Sequence, residues 1–331
     1  MKNNPLISVL IPVYNVEKYV ERCILSVLNQ TMQEGVEVII VNDCTPDSSM
    51  DIIAKVLNTY SDKYSHDTPM KIHIINHDKN RGLAAARKTA ISHATGDYIV
   101  QVDSDDYIEP EMLATMYNKA TEENADIVIC DYYIQFTHHK VLCKQTYIEK
   151  DIYFGEIIAG YHTSLWNKMI KKELYDKYSI KGIEGLDCGE DYIVLLPIMY
   201  YASQIVYIPS AFYNYVKINP NSITKKMTKK VIQNIFHRIE YANQFVIKHN
   251  LKQHEKNLAH LILSDEIRLL EASLTNEYKE LSILYPKANE YLASYLKETS
   301  LYNRLILNRH FRIAQFLRTT KNILKRILRK Y

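Results

Sequence analysis

Three carboxylates, Asp103, Asp105 and Asp106, crowd into the stretch VQVDSDDYIEP just behind the apolar run YIV. A strand that ends in clustered acids must expose them to water or neutralise them, because an unpaired buried carboxylate costs more than a domain can bear. A bound cation is the simplest neutraliser. Asp103 and Asp105 stand one residue apart, and their oxygen donors suit hard divalent ions such as Mg²⁺ or Mn²⁺ rather than thiolate-seeking metals. The competing reading is a polar turn that caps a helix starting near Pro110, since Asp is a favoured cap.

The elements that position this cluster follow from the hydrophobic pattern. LISVLIPVY, residues 6 to 14, is a near-continuous apolar run, as expected for a parallel strand buried on both faces. Val20, Ile24, Val27 and Leu28 then share a helical face, and Gly35 precedes the strand VEVIIV, which completes a βαβ unit. The polar turn NDCTPDSS leads to the helix MDIIAKVLNTY and the strand KIHIIN. NRGLAAARKTAISHA reads as a Gly-containing loop entering a helix, and DYIVQVD as a fourth strand ending at the acids. This alternation predicts a doubly wound α/β fold, a Rossmann-like, mostly parallel sheet flanked by helices. Ligands of such sheets bind outside the carboxyl ends of the strands, so Asp43 and Asp103 are expected to face one crevice. Further on, ADIVICDYYI reads as a strand, GLDCGEDYIVLLPIMYYA as a turn entering a helix, and IVYIPSAFYNYV as the segment that closes a catalytic domain over residues 1–218. Residues 219–331 read as a helical C-terminal region.

The 331 residues exceed the usual single core. At 47% hydrophobic and 24% charged the composition is globular. No signal-peptide pattern opens the chain, and IVLLPIMYYA, broken by Pro197, is too short to span a bilayer. The five cysteines are odd in number, scattered, and form no Cys-x-x-Cys pair, which argues against both a disulfide framework and a zinc site and for reduced, cytoplasmic thiols. The twelve His show no ligand spacing, and the 27 Tyr are spread throughout. No Gly-x-Gly-x-x-Gly or Walker-type phosphate loop follows any strand, which demotes hydride transfer and ordinary dinucleotide binding.

Taken in order, ISVLIPVYNVEKYVERCILSVLNQT, VNDCTPDSS, NRGLAAAR, VDSDDYI, WNKMIKKEL and GEDY resemble the family 2 glycosyltransferases of the GT-A fold, the kind acting in bacterial surface polysaccharide synthesis. The resemblance covers roughly residues 6 to 215. It implies a nucleotide-diphosphate sugar, with a UDP-sugar favoured, bound at the strand ends. The sugar passes to a hydroxyl of a glycan or lipid-linked acceptor with inversion, as in a hexosyl- or N-acetylhexosaminyl-transferase. By the same resemblance Pro12, Tyr14 and Glu17 wall the nucleotide pocket and Asp43 hydrogen-bonds the base, although strand-end packing remains open for Pro12 and Tyr14. The family often has Asp-Asp-Gly-Ser where this chain has Asn42-Asp43-Cys44-Thr45, which bears on base preference and loop geometry.

Gly82 permits close backbone approach, and Arg87 is expected either to supply charge to the diphosphate or to form a structural salt bridge. Asp103 and Asp105 match the family's Asp-x-Asp motif, in which the first acid meets the ribose or a metal-bound water and the second the Mn²⁺ or Mg²⁺ ion. Asp106 is left as a cap or supporting residue. Asp191 matches the catalytic base, with Glu190 orienting it or meeting the acceptor; the bland alternative is that both acids start a helix, where its dipole favours them. Trp166 is assigned to a sugar face or to core packing, and Lys168 to the diphosphate.

From Arg304 to the end the chain has no acidic residue. Leu305, Ile306, Phe311, Phe316, Leu317, Ile323, Leu324, Ile327 and Leu328 interleave there with Arg and Lys, a pattern suited to an anionic membrane surface. The alternative is a helix packed on the protein itself. The expectation is a cytoplasmic enzyme peripheral to the inner face of the cell membrane, with no nucleic-acid partner. Two rivals differ in class: a nucleotidyltransferase that makes a nucleotide-sugar, disfavoured by the missing Gly-rich loop, and a non-catalytic nucleotide-sugar-binding protein, disfavoured by Asp103, Asp105 and Asp191.

Overall fold

The computed structural model describes residues 5–64, 69–145, 147, 149–218, 227–273, 281 and 284–328. The chain divides into two compact units, Met1–Phe154 with His162–Lys225, and Gly155–Tyr161 with Lys226–Tyr331. Residues 219–226, next to the expected domain boundary, lie outside the described residues.

The first unit is built on strands β1 (Ile7–Val13), β2 (Val36–Asn42), β3 (Lys71–Asn76), β4 (Tyr98–Gln101), β5 (Tyr107–Ile108), β6 (Ile127–Gln135), β7 (Lys140–Cys143), β8 (Lys168–Lys171) and β9 (Ile205–Val216). Their order in the sheet is β3-β2-β1-β4-β8-β6-β9-β5, with β7 on β6. β1, β2, β3 and β4 pair in parallel. Beyond β4 the sheet is mixed: β8 runs antiparallel to β4 and to β6, β7 to β6 and β5 to β9, while β6 and β9 are parallel. The parallel expectation therefore describes the first four strands, whose alternation with helices forces right-handed crossovers. Of the later strands, only β4 to β5 and β6 to β7 are joined without a helix, and the later strands pair both ways.

Every residue of β1 is buried, which is why the run is continuous rather than alternating; each fully buried Ile or Val contributes roughly 1.5–3 kcal/mol. Helix α1 (Val20–Leu28) buries Val20, Cys23, Ile24, Val27 and Leu28, the stripe a 3.6-residue period presents to a sheet. Helices α2 (Ser49–Lys63), α3 (Leu83–His93) and α4 (Met112–Glu122) follow β2, β3 and β5. Three further helices, α5 (Lys150–Ile158), α6 (Lys172–Lys177) and α7 (Glu190–Tyr201), come before β9.

The chain steps from β1 to β2 to β3 on one side and returns to place β4 on the other. The strand order thus reverses between β1 and β4, where a crevice opens at the carboxyl ends. Pro12 fits this geometry. The β1–β4 pairing ends at Leu10 and Gln101, so the missing N–H of Pro12 faces the gap where β4 has peeled away and no ladder bond is lost. At the opposite end, Glu37 is buried and accepts from Ser8 Oγ at 2.5 Å, Thr95 Oγ1 at 2.9 Å and the Gly96 N–H at 3.1 Å. That end is closed by a satisfied polar network.

The second unit is helical among its described residues: α8 (Lys229–Lys248), α9 (Glu255–Ser273), α10 (Leu292–Glu298), α11 (Leu301–Leu307) and α12 (Phe311–Leu328). Its small core holds Leu263, Ile267, Leu270, Tyr295, Ile306 and Ala314, with Leu305, Leu307 and Phe311 packed around them. The start of the basic tail is thereby an internal packing element. Arg309 meets the buried Glu266 at 3.0 Å and Arg318 meets Glu271 at 2.9 Å. The acids that this segment lacks are supplied by α9. Ile313 and Phe316 remain exposed, at 53% and 69%; the side chains of Ile323, Leu324, Ile327 and Leu328 lie outside those described.

Candidate active site

The carboxyl end of β1 delivers a buried Pro12 and an exposed Tyr14 and Glu17. This exit is tied to the exit of β2 by Asp47: its Oδ2 accepts the Glu17 N–H at 2.9 Å, and its Oδ1 accepts Thr45 Oγ1 at 2.7 Å and Ser49 Oγ at 2.6 Å. Glu17 Oε2 in turn accepts the Ser48 N–H at 3.2 Å. Burial tends to raise the Asp47 carboxyl, but the Ser49 and Thr45 hydroxyls and the Glu17 and Ser49 N–H groups outweigh it and hold it below the usual range. Cys44, where the family often has Gly, sits at φ +55. The left-handed turn is thus kept with a side chain that disfavours it.

Asp43 is where the structure departs from expectation. Rather than standing open to a base, it is 3% exposed. Its Oδ1 accepts the Arg81 N–H at 2.9 Å and lies 2.6 Å from His77 Nδ1, and its Oδ2 accepts the Gly82 N–H at 2.8 Å. Thr89 Oγ1 lies 2.9 Å from the other His77 ring nitrogen. Asp43 shapes the loop that starts α3. At Gly82, with φ +91, the backbone is closely approached by Asp187, since a Cβ there would lie 2.5 Å from Asp187 Oδ1. The same Asp187 oxygen accepts the Ala84 N–H at 3.3 Å, and Arg81 pairs with Glu184. The 184–187 turn is in this way tied to the start of α3.

One turn further along α3, Arg87 is the centre of the site. It is 5% exposed. Its Nη2 donates to Asp103 Oδ1 at 2.6 Å, and its Nη1 to Glu190 Oε1 at 2.7 Å and to Asp191. The acidic turn after β4 and the start of α7, far apart in sequence, thus meet on one guanidinium. Burial opposes the charge on Arg87, and Asp191, Asp103 and Glu190 more than restore it. Three carboxylates against one cation leave an excess of negative charge. Burial and the neighbouring Asp191 push Glu190 up to about 8 despite Arg87. Burial likewise raises Asp191, against the charge of Arg87, while Asp103 adds to the rise.

Asp103 is 24% exposed at its side chain and Asp105 is half-buried on the same turn. Among the described residues no group of three or more His, Cys, Asp or Glu forms a ready cage for a metal. Asp106 turns inward instead. Fully buried, it accepts Tyr213 Oη at 2.8 Å and the Val216 N–H at 2.6 Å, and Tyr213 Oη accepts the Asp103 N–H at 3.1 Å. Burial, then Asp105 and Asp103, raise its carboxyl well above the ordinary range. It is a strut that fixes the turn, not a helix cap.

Trp166 takes the core-packing alternative, and Lys168 is enclosed by protein oxygens. Trp166 is 8% exposed and stacks on Tyr213 with centroids 4.3 Å apart, with Tyr132 edge-on at 4.7 Å. Its packing backs the acidic turn through Tyr213. Lys168 is fully buried, with its ammonium on three protein oxygens, so it is held away from a diphosphate. Asp47, His77, Asp187 and Tyr213 were missed by sequence reasoning. Only Asp47 carried a local signal, as a cap-type residue ahead of α2; Tyr213 is hidden among 27 tyrosines.

A carboxylate-lined crevice at the reversal point of a doubly wound sheet lies where such folds bind their ligands. Residues 8–178 match the family model described as Glycosyl transferase family 2. The putative glycosyltransferase EpsH of Bacillus subtilis (strain 168) is 31% identical over 289 residues, 83% of this chain and 78% of that protein. The poly(ribitol-phosphate) beta-glucosyltransferase of Bacillus spizizenii is 43% identical over 125 residues, 37% of this chain and 18% of that one. Among solved structures, S. aureus TarS 1-349 in complex with UDP-GlcNAc superposes with a TM-score of 0.67 at 18% identity, covering 92% of this chain and 88% of that one, a likeness of the GT-A fold. The chain belongs to glycosyl transferase family 2, and it is a glycosyltransferase.

Two stability measurements test this geometry. Folded Glu190 ionises only near pH 8, whereas the unfolded chain ionises it near 4.5, so folded protein binds the extra proton between these values and stability falls as pH rises through that window. Glu190→Gln should remove part of this fall, gaining roughly 1 kcal/mol or more over the wild type at pH 9 and nothing at pH 4 in urea unfolding. Cys44→Gly should add about 0.5–1 kcal/mol by relieving the left-handed strain, net of the greater entropy of Gly in the unfolded chain, whereas Cys44→Ala should not.

Proposed function

We propose that the protein is a metal-dependent, inverting glycosyltransferase that moves a hexosyl or N-acetylhexosaminyl group from a nucleotide-diphosphate sugar to a hydroxyl of a glycan or lipid-linked acceptor in cell-surface polysaccharide synthesis. The observation that carries this reading is Arg87, which gathers Asp103, Glu190 and Asp191 into one cluster at the crevice. The relative that acts on poly(ribitol-phosphate) makes a polymeric acceptor reasonable, and the fold relative solved with UDP-GlcNAc puts a UDP-sugar first among donors to test.

Tyr14 and Glu17, exposed at the exit of β1 with Pro12 beneath them, flank the nucleotide. Asp43 acts on the pocket through the Arg81–Gly82 backbone that it holds. Asp103 and Asp105 would hold Mn²⁺ or Mg²⁺. Two oxygen donors fit an ion that completes its shell with water and diphosphate oxygens, and the uncompensated negative charge of the cluster favours a cation there. When bound, the ion supplies charge stabilisation for the departing diphosphate. Arg87 holds Asp191 and Asp103 at fixed separation.

Asp191 accepts the proton of the acceptor hydroxyl. Its raised affinity for a proton suits a base, and Glu190 beside it orients the acceptor. As the acceptor oxygen bonds to the anomeric carbon from the face opposite the leaving group, the bond to the diphosphate oxygen breaks and its electron pair leaves with the nucleoside diphosphate. The configuration inverts.

We read residues 1–218 as the catalytic domain and residues 219–331 as the helical region, with the segment Gly155–Tyr161 grouping with the latter. No described helix is long and apolar enough to cross a membrane. The exposed Ile313 and Phe316 near Arg312 suit peripheral attachment to anionic lipid on the cytoplasmic face.

Calorimetric titration with UDP, GDP, CDP and dTDP, each with Mn²⁺ and with EDTA, should give micromolar binding of one nucleotide only with metal; metal-independent binding refutes the ion's role. Asp105→Ala should weaken that binding about tenfold or more. Asp191→Asn should leave it intact and lower kcat roughly 10²–10⁴-fold; an unchanged kcat removes Asp191 as the base. For the tail, Phe316→Glu should reduce cosedimentation with phosphatidylglycerol vesicles several-fold without altering the melting temperature, and equal binding by the two proteins rejects membrane attachment here.

A further inference from the structure

Helix α3 carries Arg87 to the crevice, yet its own contact with the sheet is bare of large side chains. Besides Arg87 it buries Ala84, Ala85, Ala86, Ala90 and Ile91, and it packs on β1 and β2. Small side chains let a helix lie close to a sheet but give it few knobs to interlock with its neighbours. Packing of this kind resists separation more than it resists a turn of the helix about its axis. The direction in which Arg87 points is therefore left to polar contacts.

One such contact comes from the exits of the strands. His77 directly follows β3 and is buried, and its N–H donates to the carbonyl of Asn42, the last residue of β2, at 2.9 Å. The ring joins two elements. Nδ1 lies 2.6 Å from Asp43 Oδ1, and because carboxylate oxygens accept, the ring donates there. Nε2 lies 2.9 Å from Thr89 Oγ1 on α3. Asp43 also takes the Arg81 and Gly82 N–H groups. One end of the imidazole is thus fixed to the sheet exit and to the loop before α3, while the other end grips the helix itself.

Thr89 and Arg87 are two residues apart, which on a helix sets them roughly 200° apart around the axis. α3 is thereby held on nearly opposite sides, by His77 at Thr89 and by Asp103, Glu190 and Asp191 at Arg87. We propose that His77 is a positioning residue for the reaction: by tying Thr89 to Asp43 it fixes the rotation of α3 and so the place where Arg87 meets Asp103, Glu190 and Asp191. The inference rests on the reading of that cluster as the catalytic centre and adds to it the device that sets its geometry from behind the helix. A misplacement of about 1 Å far from the chemistry can cost about 10²-fold in rate, and a side chain as long as Arg87 magnifies a small rotation of its helix.

The test is Thr89→Val, which keeps the β-branched shape and removes the hydroxyl, set beside Thr89→Ser, which restores it. The expected result for Thr89→Val is a kcat lowered roughly tenfold to a hundredfold with unchanged UDP affinity by calorimetry, and for Thr89→Ser a recovery of most of that kcat. His77→Asn, whose amide can donate to Asp43 but falls short of Thr89, should lose as much as Thr89→Val, and the double variant no more than either alone, because the same bond is broken each time. Wild-type kcat in Thr89→Val overturns the proposal, as do additive losses in the double variant or a failure of Thr89→Ser to recover activity. A matching loss of UDP affinity also overturns it, and would assign the His77 contact to the nucleotide pocket. The catalytic reading of the cluster fails separately, if Asp191→Asn keeps its kcat. Should His77→Asn not fold, the comparison of Thr89→Val with Thr89→Ser decides alone.

Discussion

A guanidinium with almost no access to water cannot stand alone, and the neutralisation of Arg87 is the constraint on which the site depends. Asp103 comes from the turn after β4, and Glu190 and Asp191 from the start of α7. These segments converge because one buried cation must be paired. Three acids on one cation overcompensate. Burial first, and then the neighbouring Asp191, hold the proton on Glu190 toward neutral pH. The ion pairs that organise the fold here also prepare the electrostatics of the site.

Around that centre each acid is held by a support that itself touches no crevice. Tyr213 carries Asp103 through its N–H and Asp106 through its carboxylate, and Trp166 stacks behind it. Asp43 and His77 hold the loop into α3, Asp187 presses on Gly82, and Lys168 ties down the turn before β8. The rigid elements are the strands, whose opposite ends are sealed by the Glu37 network. Polar loops on a fixed sheet edge are where substrate-handling groups gather in such folds.

The second unit shows the limit of pattern reading in another way. Leu305, Ile306 and Phe311 have the spacing of an amphipathic helix, and that spacing says only that one face is apolar. In the structure Ile306 and Ala314 belong to a core with α9, whose Glu266 and Glu271 pair with Arg309 and Arg318. Two residues past Ala314, Phe316 faces outward. One continuous basic segment thus serves internal packing at its start and presents an exposed apolar residue further along.

The sequence by itself determined the strand–helix alternation of the first unit, the crevice at the carboxyl end of β1 and β4, and the acids at 103, 105, 190 and 191, because period, turn residues and spacing are local properties. It also disclosed the family, through six short motifs in order. Four things were decided only by the tertiary structure. Asp43 turns inward to a loop, and Gly82 makes room for Asp187. Trp166 and Lys168 are interior supports, and Arg87 joins the two acidic motifs. Each of these depends on which side chain from a distant segment arrives beside it and on whether water is excluded there. A buried lysine and an exposed one are written with the same letter, and only packing sets the oxygens that surround its charge.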